Sequence, residues 1–361
     1  MRRSRGRVVD VDTTVELVRR VAAGNTSLAG WRLRGLDLTR HSATLASCHT
    51  GGALFLGCRF ATGDEARVRG EGALVFPDLP NSPVDDYRTS LYTARELYGT
   101  ATYRESLDGR AFAWSKRRQS RDSALAKALH DHAIDGALAT WVAGRDIVGV
   151  MGGHALERGS VEYTDAARLG HLLGTTHIVA TGGGPGAMEA ANLGARLATG
   201  PLSTVEEALT GLAAVPSFRP SIDAWAAATF DVVDAHPEPT ETLGVPTWHY
   251  GHEPPNVFAT AIAKYFGNAT REAVLLQVCN RGIVFLTGAG GTVQEIFQDA
   301  CENYYADDSS VAPMVLVGRD YWTRTLPAWP LLQSLADGRV MEPHVHLVDT
   351  LDEAAALFTT P

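Results

Sequence analysis

Lysine is nearly absent from this chain. Lys116, Lys127 and Lys264 are the only three in 361 residues, so arginine carries almost all of the positive charge. A pyridoxal enzyme needs a lysine for its Schiff base, and none of these three sits in a motif that suggests one. Cysteine is scarce too. Cys48, Cys58, Cys279 and Cys301 form no CxxC pair, which excludes the usual metal-ligand spacing and argues against a disulfide framework in a chain of this size. No apolar run reaches membrane-spanning length. Met1-Arg2-Arg3-Ser4-Arg5 is followed by Val8-Val9-Asp10-Val11-Asp12 rather than by the apolar core of a secretory signal. These absences predict a cytoplasmic protein with no membrane partner. A formal net charge of −9 leaves little room for a dominant basic face, so nucleic acid is not expected as a partner.

The whole chain is 45% hydrophobic and 20% charged, an ordinary globular composition. The length allows one large domain or two of modest size, with ample core. Arginine's planar fork suits phosphate and carboxylate, although a coding bias accounts for the skew equally well.

From about Arg145 strands alternate with helices. Short buried runs at Ile147–Met151, Ile178–Ala180, Ile283–Leu286, Met314–Val317 and His344–Val348 predict strands. Helical spacing predicts helices at Tyr163–Leu173, Ala187–Ala198, Arg271–Cys279, Val293–Tyr305 and Leu351–Phe358. Phe230–Val233 reads as a further strand and Ala259–Phe266 as a further helix. This alternation predicts an α/β fold with a Rossmann-like, doubly wound parallel sheet. Ligands of such sheets bind at the carboxyl ends of the strands, where three glycine turns fall. Residues 1–120 read differently, as an N-terminal accessory region of mixed, β-leaning character. Leu33, Leu36, Leu38, Leu45 and Leu54–Leu56 keep no single register there, and no repeat is convincing. Leu91–Tyr98 and Ala124–Val142 look helical, and the nucleotide-binding domain is expected over residues 121–361.

The most informative segment is Ile283-Val284-Phe285-Leu286-Thr287-Gly288-Ala289-Gly290-Gly291-Thr292-Val293-Gln294-Glu295. It reads as a buried strand, a glycine turn and a helix start. Gly288, Gly290 and Gly291 let backbone N–H groups approach a ligand with no Cβ in the way. A helix N-terminus behind them offers unpaired donors and partial positive charge to a phosphate, with Thr292 beside them. Upstream, Ile178–Thr181 leads into Gly182-Gly183-Gly184-Pro185-Gly186-Ala187-Met188-Glu189, a second unit of the same kind. Two such loops point to a nucleotide. Glu295 has two readings. Thr292-x-x-Glu295 fits a capping box, in which the glutamate only satisfies the cap amide. Yet a carboxylate beside a bound phosphate is repulsive, which makes sense if Glu295 points past it toward sugar or base.

Thr287–Glu295 resembles the signature P-G-G-x-G-T-x-x-E of the LOG (Lonely Guy) family, once labelled lysine decarboxylases. It differs at Thr287, where the family has proline, and at Ala289, where it has the second glycine. Gly182, Gly183, Gly184 and Gly186 resemble the family's earlier GGG-x-x-G loop, with Gly186 one place early. Their G-P-G-A-M-E-A form is closer to the longer bacterial nucleotide 5′-monophosphate nucleosidases. The resemblance covers roughly residues 145–350. It implies hydrolysis of the N-glycosidic bond of a nucleoside 5′-monophosphate, with no cofactor or metal, in a homodimer or larger homo-oligomer. It also implies a catalytic pair, Glu295 and an arginine on the preceding helix, for which Arg271 is the best match, one residue out of register. Gly153, after the first strand, is a further candidate for phosphate contact. His154, Glu189, Asp299 and the loop Trp248–Pro254 are secondary candidates, each with an equally ordinary structural reading. A nucleotide-binding sensor without turnover is the alternative from another class.

Overall fold

A computed structural model describes residues 8–79, 81–249 and 253–359. The chain divides into two compact units. One comprises the residues up to Arg88 together with Gln119–Ala133; the other comprises Thr89–Arg118 and everything from Ile134. The segment 89–118 thus belongs to the second unit.

The first unit is a parallel four-stranded sheet, β1 (Val9–Val11), β2 (Trp31–Arg34), β3 (Leu54–Leu56) and β4 (Leu74–Phe76), in sequence order. Short helices α1 (Thr14–Ala22), α2 (Ser42–Ala46) and α3 (Asp64–Gly70) join the strands. Val9 pairs with Trp31, Leu33 with Phe55 and Phe55 with Val75, so successive strands are offset by 22, 22 and 20 residues. That regularity is an internal repeat, contrary to the sequence reading. Gly30, Gly52 and Gly72 occupy one position in successive coils, all with positive φ (80°, 76° and 94°). Gly30 N–H donates to Gly52 O, and Gly52 N–H to Gly72 O. The repeat was hidden because what recurs is geometry, whereas the residues stacked in the core vary: Leu33, Phe55 and Val75 at one level, Leu36 and Cys58 at another.

The second unit opens with α4 (Ala94–Tyr98) and α5 (Leu107–Ser115). The long α6 (Arg121–Val142) is divided between the units. Then follow β5 (Ile147–Met151), α7 (Val161–Gly174), β6 (Ile178–Thr181), α8 (Ala187–Arg196), α9 (Leu202–Leu212), α10 (Ile222–Ala235), β7 (Thr242–Gly244), β8 (Ala261–Ile262), α11 (Asn268–Gln277), β9 (Ile283–Phe285), α12 (Gly290–Tyr305), β10 (Met314–Val317), α13 (Ala328–Ala336), β11 (Val345–Val348) and α14 (Leu351–Thr359). The seven strands form one parallel sheet in the order β11-β10-β9-β5-β6-β7-β8. This is the Rossmann-like α/β fold. Strand order reverses between β5 and β9, where such sheets hold their ligands.

Val148, Val150, Val179, Val284 and Val315 bury against α7, α8, α9 and α14. α7 and α8 approach closely because a Cβ on Gly170 or Gly194 would lie 2.1 Å from Ala191 O or 1.8 Å from Ala167 O. Two sequence expectations are corrected. Phe230–Val233 belongs to α10, whose Trp225, Ala226 and Thr229 bury at helical spacing. Ala259–Phe266 is not a helix but contains β8, paired in parallel with β7 and bridged in antiparallel fashion by Tyr92. Both segments are short apolar runs, in which the period of two and the period of 3.6 cannot be told apart. Among the described residues no helix is long and apolar enough to cross a membrane.

Candidate active site

A cavity of about 500 Å³ opens where the strand order reverses. Its walls come from the turn after β5 (Gly152, Gly153, His154), the first turn of α12 and one face of α11. The turns are tied together: Leu286 N–H donates to Met151 O at 2.8 Å and Gly153 N–H to Thr287 O at 3.2 Å.

α12 begins at Gly290, with Ala289 as its N-cap and no side-chain cap. Thr292 is therefore its third residue, and Glu295 lies in the second turn. The capping-box reading of Thr292 and Glu295 fails on this geometry, since a capping box needs the hydroxyl residue at the N-cap. A Cβ added at Gly290 or Gly291 would meet nothing within 4 Å, so these glycines face open space at the cavity wall. The first N–H groups of the helix lack intrahelical acceptors and carry its positive end, which suits an anion. Gly288 has a different reason to be glycine. A Cβ there would lie 2.1 Å from Thr292 Oγ1.

Glu295 lines the cavity, its Oε1 3.9 Å from Arg271 Nη1. Burial pushes its carboxyl up to about 7, with Arg271 pulling it down and Glu272 pushing it up. Arg271 is buried rather than a surface residue near a helix start. Its Nε donates to Val245 O at 2.7 Å and its Nη2 to Gly182 O at 3.2 Å, so the ends of two strands fix the guanidinium. Glu272 accepts from Asn268 Nδ2 at 2.8 Å and from Gln294. Across the cavity, Glu253 Oε1 is 3.8 Å from His154 Nε2. The space thus combines a helix N-terminus, one arginine and three carboxylates, with Met151 and Met188 as apolar wall. Such a set can hold a phosphate at one end and stabilise developing positive charge at the other.

No family model matches the sequence, and no curated protein matches it. Among solved structures, the chain is similar to the molybdenum cofactor binding protein from the phototrophic bacterium Rippkaea orientalis. The identity is 18% over 60% of this chain and 96% of that chain, with a TM-score of 0.36. It is similar also to the molybdenum cofactor carrier protein from Chlamydomonas reinhardtii, at 20% identity over 59% of this chain and 94% of that chain, with a TM-score of 0.35.

Of the residues singled out in the sequence, Gly153, Arg271, Gly290, Gly291, Thr292 and Glu295 meet at this cavity, with His154 and Glu253 beside them. Gly182, Gly183, Gly184 and Gly186 do not line it; they are buried in packing. A Cβ at Gly182 would lie 2.3 Å from Arg271 Nη2. Gly186 has φ 74°, and a Cβ there would lie 2.6 Å from Gly153 O. Glu189 is buried in an ion pair with Arg158, which also donates to Thr229 Oγ1 at 2.7 Å. Asp299 is neither lining nor solvated. It is buried on α12, four residues after Glu295, and burial pushes its carboxyl up to about 8, aided by Glu302. Within the loop Trp248–Pro254, Tyr250, Gly251 and His252 lie outside the described residues; Trp248 is buried and donates Nε1–H to Asp108 at 2.8 Å. Lys264, the buried lysine, is 2.6 Å from the same carboxylate and does not line the cavity. Sequence reasoning passed over Met151, Met188 and Gln294 and gave Glu272 no role, although Glu272 adjoins Arg271 and Gln294 adjoins Glu295. Among the described residues no cluster of His, Cys, Asp or Glu is arranged to hold a metal.

Proposed function

We propose that this chain belongs with the LOG-like phosphoribohydrolases and hydrolyses the N-glycosidic bond of a nucleoside 5′-monophosphate, releasing free base and ribose 5-phosphate. One observation carries the reading: the Glu295 carboxylate stands 3.9 Å from the Arg271 guanidinium on the wall of the cavity that the α12 N-terminus bounds. Binding a phosphate alone needs no carboxylate there.

The phosphate sits against the N–H groups of Gly290, Gly291 and Thr292, with Gly153 opposite. The C1′–N bond breaks with its electron pair going to the base nitrogen, and the sugar becomes cation-like, as in glycoside hydrolysis. Glu295 stabilises that charge once ionised, and water adds at C1′ as its proton leaves toward the base. Arg271, fixed by Val245 O and Gly182 O, faces Glu295 at 3.9 Å and favours its charged form against the stronger opposing effect of burial. Neither departure from the family signature disturbs this arrangement. Ala289 has φ −108°, which any residue adopts, and Thr287 contributes its backbone carbonyl to Gly153.

The test is to incubate the protein with AMP, GMP, CMP, UMP and IMP and to assay ribose 5-phosphate and free base, with Glu295→Gln alongside. Release by the wild type and at least a roughly 100-fold loss in a folded Glu295→Gln variant is the expected result. Nucleotide binding without turnover would favour a sensor instead. The same resemblance leads us to expect a homodimer or larger assembly, which light scattering in solution checks.

A further inference from the structure

A second cavity of about 270 Å³ adjoins the first, sharing His154 and Ala155 as a common wall. It lies at the carboxyl ends of β5 and β6, whereas the first lies at those of β5 and β9. The two differ in chemistry. Three carboxylates line the first, and no Phe, Tyr or Trp is among its described lining residues. The second is walled by Phe218 and Trp225, whose rings meet edge to face at 6.4 Å and 75°. The Arg219 guanidinium lies 5.5 Å from the Phe218 ring centroid. Its floor includes Glu189, whose charge is cancelled by Arg158, itself stacked 4.9 Å from the Trp225 ring. That floor is hydrogen-bonded into α10 and carries no uncompensated charge.

We propose that this second cavity binds the nucleobase of a nucleoside monophosphate whose phosphate and sugar occupy the first. The assignment rests on the phosphoribohydrolase reading for the identity of the ligand. A neutral heteroaromatic ring needs a stacking surface. The second cavity supplies one in Phe218, with Glu157 and Arg219 as charged lining residues beside the neutralised Glu189–Arg158 pair, whereas three carboxylates and no Phe, Tyr or Trp are among the described residues that line the first. Phe218 is half-buried, and its exposed part together with the planar Arg219 guanidinium over the ring offers stacking surface to a base. Stacking strengthens with overlapped area, so a purine binds more tightly than a pyrimidine. His154, on the shared wall, stands beside the bond to be cut.

The experiment measures dissociation constants of AMP, GMP, CMP, UMP and ribose 5-phosphate by calorimetry for the wild type, Phe218→Ala and Phe218→Leu. Leucine keeps the apolar volume and removes the stacking face, so the test survives a poorly folded alanine variant. The expected result is purine monophosphates weakened about tenfold or more, as loss of one base–aromatic stack gives, with ribose 5-phosphate unchanged and the purine preference reduced. Equal weakening of ribose 5-phosphate and nucleotides, or no weakening of either, overturns the subsite. Binding without turnover removes the hydrolase reading but leaves this comparison standing. A wild type that binds none of the five ligands overturns both.

Discussion

The two strand–glycine–helix units of the sheet share a pattern, glycines followed by a helix with a glutamate, yet their parts meet different surroundings. In the β6–α8 unit the glycines are forced by neighbours: Gly183 and Gly186 have positive φ, and Gly182 abuts Arg271. Its glutamate, Glu189, is sealed in an ion pair with Arg158. In the β9–α12 unit Gly290 and Gly291 face open space, and Glu295 looks into the cavity. A glycine motif therefore does not by itself mark a ligand contact. One unit holds the scaffold, including the arginine that the other unit uses.

The largest effect that tests this contrast is expected at Glu189. Glu189→Gln leaves a buried guanidinium without its counter-charge and costs about 3–5 kcal/mol, read by urea denaturation; an unchanged midpoint would contradict the scaffold role. Gly186→Ala comes next. Positive φ alone costs about 1–3 kcal/mol, and the approach of Gly153 O adds to it. By contrast, Gly290→Ala leaves stability within about 0.5 kcal/mol of wild type, because no atom stands in the way. It weakens nucleotide binding roughly tenfold by crowding the phosphate, and calorimetry on the folded variant separates the two quantities.

Protonation sharpens the contrast further. If ionised Glu295 is the working form, kcat/KM rises with pH through about 7 and then levels. A profile flat from pH 5.5 to 8.5 would count against Glu295. A further effect concerns the pH dependence of stability. Glu295 and Asp299 titrate near 7 and 8 when folded, above their ordinary 4.5 and 3.8. The folded chain keeps protons that the unfolded chain has released, so stability declines as pH rises from about 4 toward 8. Asp299→Asn should remove its part of that decline, raising the melting temperature over wild type by roughly 5 °C more at pH 8.5 than at pH 5.

The strands at Ile147–Met151, Ile178–Thr181 and Met314–Val317 were legible because buried parallel strands are nearly continuous apolar runs. Phe230–Val233 was misread because a β-branched pair inside a helix imitates such a run. The N-terminal coils escaped notice because their period is carried by backbone registers and by Gly30, Gly52 and Gly72, while the core residues change from coil to coil. Within the cavity, Gly290, Gly291 and Glu295 were legible from local spacing. Glu253 and Met188 were brought there from distant segments.

Sequence alone determined the alternation of strand and helix, the two glycine turns and the candidacy of Glu295, because each rests on residues within a dozen positions of one another. Tertiary structure decided the rest. It set the start of α12 at Gly290, which takes Glu295 out of a capping box. It turned Arg271 inward onto two carbonyls, and it packed one glycine loop beside the smaller cavity while opening the other onto the larger one. The physical reason is that a glycine or a carboxylate takes its role from what lies within a few ångströms, and in a doubly wound sheet most of those neighbours come from other strands.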